Sequence, residues 1–203
     1  MHAMARTPHV TSHSSRMPCD SGLCRHIPSE AYADAMSDLS RHLPLSNRPR
    51  GDESGVSGDW REAVAHVVDL ASTLAGDDAD AARRFLAAAA LSEEYPTASL
   101  PHVASAIRVG RRRRIRALVD ATRALLALAG TRPVELPPTV SGAVALYAST
   151  RMPFERRAAL RGTSVRATDA EWSFGRGPVR EATAREILDF VLALGDTPPP
   201  MVR

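Results

Sequence analysis

From Asp59 onward, apolar residues recur at helical spacing in stretches that glycine or proline interrupts every few turns. Asp59 is a good N-cap for WREAVAHVVDLASTLAG, where Trp60, Val64, Val67, Ala71 and Leu74 share a face and Gly76 stands at the C-cap position. A second helix is predicted from Asp78 through Tyr95, stopped by Pro96. A third runs from about Pro101 to Ala129, broken or bent near Gly110, with Val103, Ile107, Ile115, Leu118, Ala121 and Leu125 inward. Gly130 ends it, and TRPVELPP makes a stiff connector. Helices this short are marginal alone and are stable only when their apolar stripes are buried on one another, so this half is predicted to be a small helical bundle.

The last third changes period. Thr139 to Ser149 reads as a helix, and MPFERRAAL begins a short one after Pro153. Thr163 to Asp169, Trp172 to Phe174 and Pro178 to Arg180 then read as two or three short antiparallel strands separated by turn residues. Thr183 and Glu186 form a T-x-x-E capping box for a final helix ending at Gly195, with Ile187, Leu188, Val191 and Leu194 inward. Residues 1–57 carry five of the seven His, many Ser and few large apolar residues, the composition of a disordered leader. A short helix is predicted inside it, capped by Ser29 and running to Leu43. The expectation is an α+β chain, mostly α: a leader over 1–57, a helical domain over 58–132, and a small C-terminal α/β domain over 133–203 with a short antiparallel sheet and a C-terminal helix.

Composition excludes several classes. No run of 18 uncharged apolar residues exists, and the N-terminus lacks an apolar signal core, so neither a membrane span nor secretion is expected. The two cysteines, Cys19 and Cys24, exclude a disulfide scaffold and point to a reducing cytoplasm. With His26 they make C-x4-C-x-H, half of a zinc pattern without a second pair. All 26 basic residues are Arg, with no Lys and no Gln, so arginine counts reflect codon bias before they reflect function. No Walker, G-x-S-x-G or H-E-x-x-H element occurs, and Gly175-Arg-Gly177-Pro lacks a dinucleotide frame.

Three features carry chemistry. His66 has Glu62 one turn before it and Asp69 one turn after, which reads as a weak metal site or as a solvated charge cluster on the stripe's border. His102, after Pro101, supplies a further ligand only where that helix end meets His66. The run from Arg108 to Arg116 holds six Arg, which reads as phosphate contact with nucleic acid, as carboxylate recognition, or as a solvated helix face.

The segment MPFERRAALRGTSVRATDAEWSFGRGPVREATAREILDFVLALG resembles the end of the actinobacterial mycothiol-dependent maleylpyruvate isomerase family. The resemblance rests on Pro153, Phe154, Arg156 and Arg157, then Ala167, Thr168, Asp169 and Trp172, then Gly175, Gly177, Pro178, Val179 and Arg180. VELPP is similar to the family's inter-domain connector, and GDWREAVAHVVD to its G-W-x-V-R-D-V-V-A-H-L. The resemblance implies a DinB-like helical bundle holding zinc or another divalent metal, a sterol-carrier-like C-terminal domain, and mycothiol as the attacking thiol. It also implies His66 as a metal ligand and Arg180 as a substrate- or thiol-carboxylate partner, with no catalytic residue assigned. The family's other ligands come as E-x-x-x-H on a later helix, whereas RRRRIRALVDATRALLALAG holds neither Glu nor His. The expectation is therefore an isomerase-like fold, truncated or diverged, with impaired or lost thiol chemistry. The alternatives are a non-catalytic module binding a small thiol, a carboxylate or a partner, and a weak nucleic-acid binder through Arg108 to Arg116.

Overall fold

A computed structural model describes residues 58–202. The expected leader helix, Cys19, Cys24 and His26 lie outside the described residues.

Four helices make the first part: α1 (Arg61–Ala75), α2 (Ala79–Ala88), α3 (Leu100–Val109) and α4 (Ile115–Ala129). α1 packs on α3 and α4, and α2 on α4 and α1. Val64, Val67, Val103, Ile107, Leu118 and Leu125 are all fully buried, as their spacing predicts, and Val68 is buried beside them. Asp59 lies one place before the N-cap, which is Trp60; its Oδ1 accepts from the amides of Arg61 (3.2 Å) and Arg113 (3.3 Å).

One boundary among these four helices differs from the sequence expectation. The second helix stops at Ala88, because Ala90 turns left-handed (φ +56°) and the Leu91 amide folds back to the Leu86 carbonyl at 2.9 Å. That reversal buries Leu91 and brings Glu94 and Tyr95 to Arg113. The helix expected from Pro101 to Ala129 is broken near Gly110, as read, into α3 and α4, and residues 110–114 between them dock on the start of α1. The Trp60 amide donates to the Arg113 carbonyl at 2.9 Å, and Arg61 Nη1 donates to the Gly110 carbonyl at 2.8 Å.

The second part contains α5 (Pro138–Arg151), α6 (Phe154–Leu160), β1 (Ser164–Ala167), β2 (Ser173–Gly175), β3 (Val179–Ala182) and α7 (Ala184–Val191). The sheet order is β2-β1-β3 and the sheet is mixed, which corrects the antiparallel expectation. β1 pairs antiparallel with β2 but parallel with β3, with Val165 opposite both Phe174 and Arg180. Residues 176–178 carry the chain across the start of β1 to reach its far side, and two glycines permit the crossing. Gly177 has φ +117°, and a Cβ there would stand 2.1 Å from the Gly162 carbonyl oxygen; Gly175 has φ +89° and meets the Thr163 carbonyl oxygen at 2.4 Å. The C-terminal tail then pairs antiparallel with β3, Arg180 opposite Met201.

Val165 and Ala167 point into the core, as their alternation predicts. The capping box of α7 forms as read: Thr183 Oγ1 accepts from the Glu186 amide, and the Glu186 carboxylate accepts from the Thr183 amide at 2.9 Å. Trp172 lies on α5 where Gly142 leaves room, its Nε1 donating to Ser141 Oγ at 3.0 Å. The boundary expected at 132/133 falls in the connector between α4 and α5, and one cluster of buried residues draws members from both sides of it.

Candidate anion-binding site

The arginines divide by what their guanidiniums touch, and most are structural ties. Arg61 donates to Gly110, Arg132 to Leu74, Arg180 to Pro199 and Arg185 to Gly130, each a carbonyl distant in sequence. Arg156 donates through Nη1 to the carbonyls of Phe190 (2.8 Å) and Gly195 (2.6 Å), pairs with Asp196 and lies over the Phe190 ring. Helix and loop ends leave carbonyls without amide partners, and a guanidinium with five donors satisfies several at once.

The run from Arg108 to Arg116 is mostly neutralised by acids of the same chain. Arg108 bridges Asp69 and Glu62; Arg111 and Arg113 meet Glu94, Arg112 meets Asp59 and Arg116 meets Asp120. Arg113 is the buried member, holding Glu94 by two bonds of 2.9 and 2.6 Å. The Arg113 guanidinium holds the Glu94 carboxyl down to about 2, against the opposing effect of burial. At Asp59 burial pushes the carboxyl up, but the amides of Arg113 and Arg61 and the Arg61 guanidinium outweigh it, so it stands below the ordinary carboxylate range.

His66 sits half-buried on α1, between Glu62 and Asp69 as predicted. Both acids are taken up by Arg108, which reaches across from α3. A guanidinium bridging the two carboxylates fits that corner in place of a divalent cation, and His102 stands exposed on the first turn of α3. Among the described residues, no three His, Cys, Asp or Glu side chains converge as metal ligands. Of the residues that the resemblance names, His66 alone is a metal-ligand type, and the acids beside it are engaged by Arg108, whereas a catalytic metal needs about three protein ligands. Arg180 is tied to the C-terminal tail. Its Nη1 donates to the Pro199 carbonyl at 2.6 Å, and its Nε is buried without a partner.

Six arginine side chains among the described residues have neither a hydrogen bond nor an ion pair: Arg114, Arg123, Arg151, Arg157, Arg161 and Arg176. Four of these six line two cavities that share Met152 as a wall. The first is a cleft of about 340 Å³ between α4, α5 and the turn after α7, where Arg116, Arg123 and Arg151 face a single carboxylate, Asp120. Arg116 and Asp120 are 3.8 Å apart, and the Arg151 guanidinium lies 4.9 Å from the centre of the Tyr147 ring. The second, of about 400 Å³, lies between α6 and the β1–β2 hairpin, with Arg157 and Arg161 among apolar neighbours. None of these arginines was distinguishable in the sequence from the structural ones, since all share one residue type and no spacing marks them.

Guanidiniums without partners around a cleft suit an anion, since a planar fork matches carboxylate or phosphate oxygens in pairs. No helix among the described residues is long and apolar enough to cross a membrane. Comparison with known protein families, with curated proteins and with solved structures finds no match to this chain.

Proposed function

We propose that this chain is a diverged member of the maleylpyruvate isomerase-like family, its first four helices a shortened DinB-like bundle, and that it serves as a non-catalytic module binding small organic anions. The binding site is the cleft of Arg116, Arg123 and Arg151. The observation that carries this reading is the segregation of arginines: those elsewhere are mostly tied to carbonyls or acids, while four of the six without partners gather around two adjoining cavities. Three guanidiniums against one carboxylate leave the cleft about two charges positive, the complement of a dicarboxylate or a phosphate monoester. The isomerase reading has less behind it, because Arg108 engages the acids beside His66 and a carbonyl engages Arg180. The nucleic-acid reading likewise loses its charge, since five of the six arginines in the run pair with acids of this chain. A reducing cytoplasm remains the compartment proposed from the cysteine usage.

Calorimetric titration of the full chain with succinate and with inorganic phosphate tests the reading. Binding is expected for the native chain, weakened about tenfold by Arg123→Ala and again by Arg151→Ala, the size of one charge-assisted hydrogen bond each. Absence of binding up to about 10 mM, or affinity indifferent to both substitutions, would sink it. Elemental analysis of the native chain and His66→Ala separates it from the isomerase reading. No divalent metal whose content tracks His66 is expected; about one zinc per chain, lost in the variant, would favour the enzyme.

A further inference from the structure

The second cavity differs chemically from the arginine cleft beside it. Its floor is apolar, with Met152, Leu160 and Val165 buried and Phe174 half-buried. Only two of its lining residues carry hydroxyls, and both protons are already used: Ser149 Oγ donates to the Leu146 carbonyl at 2.8 Å and Thr163 Oγ1 to the Leu160 carbonyl at 2.7 Å. A sugar or other polar body would find no free hydroxyl donor inside. At the mouth Phe154 is 72% exposed, a large aromatic ring left in water beside an apolar hollow. Arg157 and Arg161 stand at the same lining, and arginine stems lie along apolar surface while the charged heads stay wet. Met152, buried to 6% exposure, is the wall common to this cavity and the cleft, and an unbranched thioether is the side chain that yields most readily to a ligand's shape.

We infer that this cavity takes the alkyl chain of an anionic amphiphile whose carboxylate or phosphate head sits at Arg116, Arg123 and Arg151. The inference rests on the anion reading of the cleft and adds the body of the ligand to it. A volume of about 400 Å³ lies within the range of small-molecule sites. Chain carbons entering it displace water from Val165, Leu160 and Phe174 and cover the Phe154 ring.

The test is a homologous series of straight-chain monocarboxylates, butanoate to decanoate, titrated against the full chain below their micellar concentrations, with succinate and inorganic phosphate as the short anions. Affinity is expected to rise roughly two- to fourfold per added methylene until the cavity is filled. Ala158→Trp, at an exposed lining position, fills the mouth; it is expected to abolish the rise while leaving succinate and phosphate binding unchanged. Phe154→Ser, also exposed, is expected to lessen the rise and serves as a second variant. A flat series alongside retained succinate and phosphate binding overturns this inference and leaves the anion reading standing. A rise that persists in both variants also overturns it. Failure of succinate and phosphate to bind the native chain strikes the anion reading itself.

Discussion

Glu94 shows how a single side chain is set by the turn that carries it. In sequence it sits in SEEYP, inside the helix expected to run through Tyr95. The left-handed Ala90 instead swings it onto Arg113, the buried member of the arginine run. Because its folded pKa is lowered from 4.5 to about 2, the carboxylate contributes stability above pH 4.5, and that contribution is lost as pH falls from 4.5 towards 2. Glu94→Gln is expected to lower stability at pH 7 by about 1–3 kcal/mol, since it leaves the Arg113 cation without its counter-charge. The gap between variant and native chain should close as urea titrations are repeated from pH 5 down to pH 2. A gap independent of pH would mean that the pair is held by shape rather than charge.

At the scale of elements, the mixed sheet depends on two glycines, and Gly177 is the more tightly enclosed. A three-residue link ordinarily returns a strand beside its predecessor as a hairpin, and that logic underlies the antiparallel expectation. Here the link passes over the start of β1, so β3 gains a parallel partner and its outer edge is free to take the C-terminal tail. Gly177→Ala would place a methyl against the Gly162 carbonyl at a φ that L residues avoid. It is expected to destabilise the chain by at least about 2 kcal/mol in chemical denaturation. A cost below about 0.5 kcal/mol would mean the crossing relaxes without strain. The capping box of α7, by contrast, was legible as four letters, because it is a local exchange between a side chain and amides three residues apart.

Over the whole molecule, charge is distributed in two ways that the net value of +3 conceals. Arginines tied to carbonyls and acids hold helix ends and the 110–114 loop in place, whereas Arg123, Arg151, Arg157 and Arg161 around the two cavities keep their charge for the solvent side. Binding of succinate or phosphate to exposed guanidiniums is screened by salt, so affinity is expected to fall several-fold between about 0.02 and 0.3 M sodium chloride. Titration at the two ionic strengths checks it, and an affinity indifferent to salt would place the anion somewhere other than the arginine cleft.

The sequence by itself determined the helical stripes, the breaks at Gly76, Gly110 and Gly130, the cap of α7 and the inward face of β1. Each of these depends on residues within a turn or two of one another. Only the tertiary structure decided where the second helix stops, which partner β3 takes, and which arginines are left unpaired. Those outcomes depend on groups far apart in the chain: Glu94 meets Arg113, Arg108 meets Asp69, and Arg180 meets Pro199. A guanidinium's role is set by the nearest oxygen in space, and the order of residues along the chain does not carry that distance.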